Sequence, residues 1–322
     1  MSAALSPLDA ARGLLLGGAL GDALGWPVEF ASWTAIQARY GPAGIQEPPD
    51  PAVYTDDTQM TVALAEALVA TPAGTDLDAL MAEVSRRFIA WSHDPETPLT
   101  APGNTCLAGV AALERGVPWH QAGLAESKGC GACMRVAPVG FFYQHAPEQL
   151  RHVARAQGWL THRHPASDAA CLGAATLVKL ALDGVPTAAW PEAVLAAAGG
   201  IAGEFDAAIG RVVTALSWAD DRRALDHIGP QRGGGWIAEE AVAMALYCVL
   251  RHPDDFAAAT RLGANITGDS DSVAAIAGGL VGARRGPEGL PAHWLARLKN
   301  RARLEALAAE LAHKRAALGR EV

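Results

Sequence analysis

Residues 55–68 have the sequence Thr-Asp-Asp-Thr-Gln-Met-Thr-Val-Ala-Leu-Ala-Glu-Ala-Leu. From Met60 to Leu68, apolar side chains recur at the three- and four-residue spacing of one helix face. Asp56 and Asp57 precede this apolar stripe, and acidic residues in a first helical turn interact favourably with the helix dipole. The segment therefore predicts an amphipathic helix that opens with two adjacent carboxylates.

The rest of the chain shows the same preference for helix. Alanine and leucine dominate, no long run of alternating β-branched residues occurs, and Gly and Pro interrupt the sequence at short intervals. We expect an all-α fold, a compact single-domain orthogonal helical bundle of many short helices over residues 1–322. Further helices are expected at about 77–91, 103–114, 147–159, 165–182, 204–218, 236–250, 254–263, 271–283 and 291–318.

Composition narrows the functional class. A net charge of −8 and an aromatic content of 6% make nucleic acid an improbable partner. The apolar run at 13–25 is short and broken by Asp22, so we expect no membrane-spanning segment and no signal peptide. Five scattered cysteines are typical of reduced thiols, so we expect a cytoplasmic protein. The glycine-rich segment 229–235 is interpreted as a loop rather than a domain boundary.

A second acidic segment, Gly268-Asp269-Ser270-Asp271-Ser272, precedes another apolar helix. Ser and Asp are common N-cap residues, and a cap alone would explain one of these side chains. Four oxygen-bearing side chains in a row exceed that need, and such donors suit a hard divalent cation.

Repulsion between the two acidic segments favours the same interpretation. Two carboxylates about 4 Å apart repel by roughly 4 kcal/mol at an effective dielectric near 20. Two Mg²⁺ or Mn²⁺ ions shared by both segments would offset this repulsion in a dinuclear metal cleft. The sequence therefore predicts that the segments around Asp57 and Asp271 meet in space.

Two other features of the sequence allow more than one interpretation. Cys130 and Cys133 have CxxC spacing, and His162 and His164 could complete a zinc site. No second CxxC exists, so the glycines around this pair favour a loop that binds phosphate groups through backbone N–H groups. Asp22 lies in an apolar helix, and we expect it to be a structural residue with a hydrogen-bonding partner.

The chain resembles the ADP-ribosylglycohydrolase family in ordered blocks along nearly its whole length. The matching blocks are residues 17–25 (GGALGDALG), 27–30 (PVEF), 54–58 (YTDDT), 127–138 (SKGCGACMRVAP), 161–162 (TH), 167–168 (SD), 265–272 (NITGDSDS) and 277–283 (AGGLVGA). The resemblance implies hydrolysis at the anomeric carbon of the ribose that links ADP-ribose to its target.

The resemblance also implies roles for individual residues. The metal ligands would be Thr55, Asp56, Asp57, Asp269, Asp271 and Ser272. The substrate-binding residues would be Ser127, Gly129, Cys130, Gly131 and His162. The resemblance makes Glu29 a gate or catalytic candidate near the metals. We expect a metal-bound carboxylate, Asp57 or Asp271, to act as catalytic general base on the attacking water.

Two departures from the family pattern affect these roles. Ser270 and Ser272 stand where many members have threonine, and serine keeps the hydroxyl. Cys130 stands where asparagine is usual, and a thiol is a poorer donor and acceptor than an amide.

The expected function is metal-dependent hydrolysis of an ADP-ribosyl linkage on protein side chains, with arginine favoured. The expected partners are ADP-ribose or an ADP-ribosylated protein, and a monomer is favoured. Two alternatives stay open, which are a hydrolase of another riboside or nucleotide-sugar and a non-catalytic ADP-ribose-binding or structural relative.

Overall fold

The computed structural model describes residues 5–72 and 74–318, and within them the fold is all-α, as predicted. These residues form seventeen α-helices and five short 3₁₀ helices, and the only β-type pairings in them are three isolated bridges. The predicted fold class is therefore confirmed.

The α-helices are α1 (Pro7–Gly25), α2 (Trp33–Tyr40), α3 (Asp56–Ala70), α4 (Leu77–Ser92), α5 (Asn104–Glu114), α6 (Trp119–Ala122), α7 (Ala137–Phe142), α8 (Pro147–Trp159), α9 (Pro165–Leu182), α10 (Trp190–Ala198), α11 (Gly203–Ala215), α12 (Asp221–Ile228), α13 (Ala238–Arg251), α14 (Phe256–Ala264), α15 (Ser270–Arg285), α16 (Ala292–Arg297) and α17 (Arg301–Leu318). The 3₁₀ helices are Trp26–Val28, Thr97–Leu99, Cys130–Ala132, Thr187–Ala189 and Pro287–Gly289.

One expected helix is wrong, because residues 291–318 form two helices rather than one. α16 ends at Arg297, and α17 begins at Arg301. Between them the backbone pairs with Ala52, which donates to the carbonyl of Arg297 and accepts from the N–H of Lys299. Asn300 then adopts a left-handed backbone with φ of 56°. The pairing with a distant segment removes the N–H and carbonyl groups that a continuous helix would use.

The close pairing of α1 and α15 organises the centre of the protein. Every fourth residue of α1 from 13 to 25 is glycine, and these glycines face the backbone of α15. A Cβ at Gly21 would lie well inside van der Waals contact of the Ala274 carbonyl oxygen, and a Cβ at Gly25 would lie 2.5 Å from the Cα of Asp271. Glycine therefore allows the two helix backbones to touch, which brings the end of α1 against the start of α15.

α9 is long and apolar enough to cross a membrane, which the sequence interpretation did not note. In the structure 83% of this helix is buried inside the protein. Its side chains pack against α7, α8, α10 and α13. By its surroundings α9 is therefore a core helix.

Candidate metal centre and substrate loop

Asp22 caps α3 from a neighbouring helix. Its carboxylate, fully buried in α1, accepts hydrogen bonds from the backbone N–H groups of Thr55 and Thr58 at 2.9–3.0 Å. Both threonine hydroxyls also donate to it, at 2.8 and 2.6 Å. Burial raises the pKa of Asp22 to about 6, and these hydrogen bonds oppose the increase. Because Asp22 serves the N–H groups at the start of α3, the acids of α3 are not needed as caps.

Asp56 and Asp57, in the first turn of α3, are buried and face inward. One oxygen of Asp56 accepts a hydrogen bond from the backbone N–H of Gly103 at 3.0 Å. Oδ1 of Asp57 is buried and has no hydrogen-bond partner. An uncompensated carboxylate oxygen is costly inside a protein, so a ligand is expected there.

The second acidic segment opens α15. Asp269 is the N-cap of this helix, and its Oδ1 accepts from the backbone N–H of Ser272 at 3.3 Å. Asp271 accepts from the same N–H at 3.1 Å. The hydroxyl of Ser270 donates to the carbonyl of Gly25 at the end of α1. N-capping therefore accounts for Oδ1 of Asp269 but not for its second oxygen, Oδ2.

A glycine-rich loop positions this segment from the other side. Gly233, Gly234 and Gly235 all have φ between 84° and 89°, a region that disfavours other residues. The carbonyl of Gly234 accepts from the backbone N–H of Asp269 at 3.0 Å. The expectation of a loop at 229–235 is confirmed, but sequence reasoning missed its role beside Asp269. The three consecutive glycines were the available signal.

Glu29 joins the second acidic segment. Carboxylate oxygens of Glu29, Asp269 and Asp271 lie within 4.8 Å of one another, which makes them a candidate metal-binding group. The adjacent Phe30 donates its backbone N–H to the carbonyl of Gly268, and this bond holds Glu29 close. Burial, followed by the charges of Asp269 and Asp22, raises the pKa of Glu29 to about 7.

The two acidic segments lie close enough in the fold for their charges to act on one another. Burial raises the pKa of Asp57 well above its usual range, and the charges of Asp22, Asp56 and Asp269 raise it further. Burial likewise raises the pKa of Asp271, with added effects of Asp269 and Asp57. The pKa of Asp56 rises to about 8, chiefly from burial.

The donor set fits divalent cations such as Mg²⁺ or Mn²⁺. It consists of hard oxygen donors, and it includes the buried, unpartnered oxygen of Asp57 and the grouped acids Glu29, Asp269 and Asp271. Thr55 gives its hydroxyl hydrogen to Asp22, so the lone pairs of its oxygen are free to face a cation. The ligand roles assigned from the sequence remain predictions that this geometry accommodates.

The predicted substrate-binding residues gather around His162. A Cβ on Gly129 would lie 3.1 Å from Nε2 of His162, and a Cβ on Gly131 would lie 3.0 Å from Cε1 of the same ring. Ser127 lies beside them and shares a 3.1 Å hydrogen bond with the hydroxyl of Thr105. We call residues 127–133 the substrate loop, and its glycines place no side chain against the buried imidazole.

Cys130 differs from its neighbours in the substrate loop, because its thiol faces the acids. Its Sγ donates to Oδ2 of Asp269 at 3.2 Å and lies 3.5 Å from the hydroxyl of Ser272. His164 instead accepts from the backbone N–H of Ala166 at the start of α9. Among the residues that the structure describes, the candidate metal-binding group holds no cysteine or histidine. The geometry therefore gives no support to the zinc alternative.

A family model described as ADP-ribosylglycohydrolase matches residues 3–321. The chain belongs to the ADP-ribosylglycohydrolase family. It is 30% identical to ADP-ribosyl-[dinitrogen reductase] glycohydrolase of Rhodospirillum rubrum, over 90% of this chain and 90% of the relative. It is 27% identical to ADP-ribosylarginine hydrolase Tri1 of Serratia proteamaculans, over 94% of this chain and 79% of the relative.

A solved structure titled ADP-ribosylglycohydrolase-related protein complex has the same fold, with a TM-score of 0.74 and 27% identity. The match covers 96% of this chain and 99% of the solved chain. The predicted family and the predicted enzyme class, a glycosidic-bond hydrolase, are confirmed.

Sequence reasoning missed how this ADP-ribosylglycohydrolase holds its substrate loop. Lys128 forms a 2.7 Å ion pair with Glu239, which is almost fully buried at the start of α13. The backbone N–H of Cys130 donates to the carbonyl of Trp236, and the N–H of Ala238 donates to the carbonyl of Lys128. The loop is therefore fastened to α13 on one side and faces the acids on the other. The partners of the loop lie about a hundred residues away in the sequence, and no local sequence pattern predicts these contacts.

Proposed function

We propose that this protein removes ADP-ribose from modified protein side chains, with ADP-ribosylarginine as the preferred substrate. The observation that carries the proposal is the grouping of Glu29, Asp269 and Asp271 beside the substrate loop, with Asp56 and Asp57 near enough to interact with them through their charges. Carboxylates suit both divalent cations and the hydroxyls of ribose, and the glycine-rich loop suits a diphosphate.

Two Mg²⁺ or Mn²⁺ ions would be held by Thr55, Asp56, Asp57, Asp269, Asp271 and Ser272. When bound, such ions supply positive charge that lowers the pKa of neighbouring oxygens and orients oxygen ligands. Support for their binding comes from the buried, unpartnered oxygen of Asp57.

The side chains of the site can move the protons that hydrolysis requires. Asp57 or Asp271 takes a proton from the attacking water, whose oxygen forms a bond to the anomeric carbon. The bond between that carbon and the guanidine nitrogen breaks, and Glu29 gives the nitrogen a proton. The transition state is oxocarbenium-like, as in other glycoside cleavage.

The preference for arginine rests on charge. A guanidinium is cationic and planar, and an ionised carboxylate can bind it through two parallel hydrogen bonds, a role for Asp56 while Glu29 is protonated. The name of one relative supports this preference, since the Serratia protein is called an ADP-ribosylarginine hydrolase. Glu29 is half-buried at the edge of the acids, where it can meet a side chain that enters from solvent.

The test is competition between ADP-ribosylarginine and ADP-ribosylserine peptides at equal concentration, with and without Mg²⁺ or Mn²⁺. The proposal predicts a higher kcat/KM for arginine and loss of turnover with a chelator. Glu29→Gln should lower kcat by at least roughly a hundredfold, the range for a general acid, whereas the exposed Glu126→Gln should have no effect. Equal or better hydrolysis of the serine substrate would refute the arginine preference.

A second candidate is hydrolysis of another riboside or nucleotide-sugar, and the position of Cys130 favours it. A thiol turned toward Asp269 does not offer the substrate the amide that is usual in the family. A panel of nucleotide ribosides, assayed beside ADP-ribosylarginine, separates the two candidates. A non-catalytic binding role would give no turnover with any of them.

We further propose that residues 1–322 form one domain that acts as a cytoplasmic monomer. Contacts of α1 with α15 and α17 support the single domain, since they join segments far apart in the chain. The sparse, odd set of cysteines supports a reducing compartment. Light scattering of the purified protein tests the monomer.

A further inference from the structure

Arg135 is a fully buried cation in the interior behind the substrate loop. In the part of the chain that the structure describes, no carboxylate pairs with it. Its guanidinium donates to the side-chain and backbone oxygens of Gln157 at 2.8 and 2.9 Å and lies 4.5 Å from the ring centre of Phe88. These contacts fix the guanidinium in one orientation.

The same guanidinium contacts His162 through one hydroxyl. Nη2 of Arg135 donates to Oγ1 of Thr161 at 2.9 Å, and this oxygen lies 2.8 Å from Nδ1 of His162. All three side chains are buried. The hydroxyl of Thr161 has a single hydrogen to give, and its other available acceptor, the carbonyl of Gly158, is 3.5 Å away.

The hydroxyl of Thr161 therefore donates its hydrogen to Nδ1 of His162, which accepts it. If Nδ1 carried a proton instead, Thr161 would face two donors, and its own hydrogen would have only the long contact to Gly158. The nearby cation also polarises the hydroxyl and makes it a better donor. Burial and the charge of Arg135 lower the pKa of His162 to about 3, which keeps the ring neutral.

A neutral ring that accepts at Nδ1 must carry its proton on Nε2. Nε2 is the atom beside Gly129, and among the described residues it has no hydrogen-bond partner. The ring is almost fully buried, but Gly129 places no side chain beside Nε2, so an N–H at this position lies next to the backbone of the substrate loop.

We propose that Arg135 and Thr161 are positioning residues that fix His162 in its Nε2–H tautomer, as a neutral donor to the diphosphate of the substrate. The diphosphate part of this inference rests on the proposed function, whereas the tautomer does not. Arg135 and Thr161 act through His162 and touch no reacting atom. The arrangement would supply a donor that keeps its proton near neutral pH.

The tautomer can be measured directly by NMR on protein labelled with ¹⁵N-histidine. His162→Gln identifies the signals of this ring. We expect an unprotonated, imine-type Nδ1 and a protonated, pyrrole-type Nε2 in the unliganded protein. A protonated Nδ1 in the wild type would overturn the proposal without any variant.

Variants test the chain of contacts. Thr161→Val removes the hydroxyl and should shift His162 toward the Nδ1–H form, whereas Thr161→Ser should keep the wild-type tautomer. Thr176→Val is the matched control, because the buried hydroxyl of Thr176 donates to the carbonyl of Leu172 in its own helix. An unchanged tautomer in a folded Thr161→Val protein would also overturn the proposal.

Calorimetry with ADP-ribose tests the link to the substrate. Thr161→Val should weaken binding by roughly tenfold or more, the effect of losing a hydrogen bond to a charged group. Thr161→Ser and Thr176→Val should bind within about twofold of wild type. Unchanged affinity in Thr161→Val would overturn the role toward the diphosphate. Failure of the wild type to bind ADP-ribose would instead refute the proposed function, and the tautomer measurement would stand by itself.

Discussion

The thiol of Cys130 donates a hydrogen bond to a carboxylate oxygen of Asp269, with 3.2 Å between sulfur and oxygen. Cys130 belongs to the substrate loop, and Asp269 caps α15, so this contact joins the two halves of the site. It also places a sulfur atom among oxygen donors. The consequence is a difference in metal preference that can be measured.

We predict that Cd²⁺ binds with sulfur coordination when it enters the acidic site. A soft cation prefers thiolate, and a cation on Asp269 would find Sγ of Cys130 beside it. The expected signal is an ultraviolet sulfur-to-cadmium charge-transfer band. The band should be lost in Cys130→Ser and kept in Cys248→Ser, since Cys248 lies buried in α13. A band that persists in Cys130→Ser would show that another thiol is responsible.

We predict that Asp57→Asn and Asp271→Asn each lower kcat/KM by more than roughly a hundredfold, because even residues that only orient metal ligands reach that range. Each change keeps the side-chain shape and removes a negative charge that the cations need. Thermal melts should show a Mg²⁺-induced increase in Tm for wild type and little or none for either variant. Equal shifts in all three proteins would contradict the ligand assignment.

We predict an unusual dependence of stability on pH when a chelator keeps cations away. The folded-state pKa values of Asp22, Glu29 and Asp56 are raised to about 6, 7 and 8, so the folded protein holds these protons more tightly than the unfolded chain. This stabilisation is complete below about pH 4, near the unfolded pKa values, and is lost as the pH rises through 6 to 8. The free energy of unfolding should therefore fall between pH 5 and pH 8.

Urea unfolding at several pH values measures this dependence. Asp56→Asn should flatten the decline between about pH 6 and pH 8, whereas the exposed Asp226→Asn should leave it unchanged. Saturating Mg²⁺ should reduce the decline, because a bound cation favours the ionised acids. A chelated wild type that becomes more stable toward pH 8 would contradict the burial of ionisable groups described here.

We predict that Gly21→Ala destabilises the protein by about 1–3 kcal/mol, the cost of overpacking. Its methyl group would meet backbone atoms of α15, which cannot rotate out of the way as a side chain could. Gly18→Ala is the control, because its methyl group would lie 3.7 Å from the nearest atom, the Ala275 carbonyl oxygen. That variant should be as stable as wild type or more so, by up to about 1 kcal/mol. Equal stability of the two variants would contradict the close pairing of α1 and α15.

Local signals predicted much of the helical structure. α8 and α9 begin at Pro147 and Pro165 and have the predicted bounds, since proline is well tolerated in a first helical turn. α13 begins at Ala238 rather than Trp236, because Trp236 and Ile237 pair with the substrate loop. That pairing partner is distant in sequence, as is Ala52 in the break before α17.

The acidic site was predictable only in part. Two oxygen-rich helix starts indicated a shared site, because each was incomplete and mutually repulsive carboxylates needed a common cation. The need of Asp22 for a polar partner was also predictable from its burial. The identity of that partner was not, because the contact with Thr55 and Thr58 depends on how α1 packs against α15 and α3. Arg135 lacked any local sign of its role, and the loop at 229–235 offered only its three consecutive glycines.

The proposed metal centre requires the two acidic segments to hold the same divalent cations. Anomalous scattering from a crystal soaked in Mn²⁺ tests it most directly. We expect Mn²⁺ peaks at about 2.0–2.3 Å from carboxylate oxygens, with ligands from both Asp56-Asp57 and Asp269-Asp271. A peak that contacts only one segment while the other lies more than about 10 Å away, beyond any ligand distance, would contradict it.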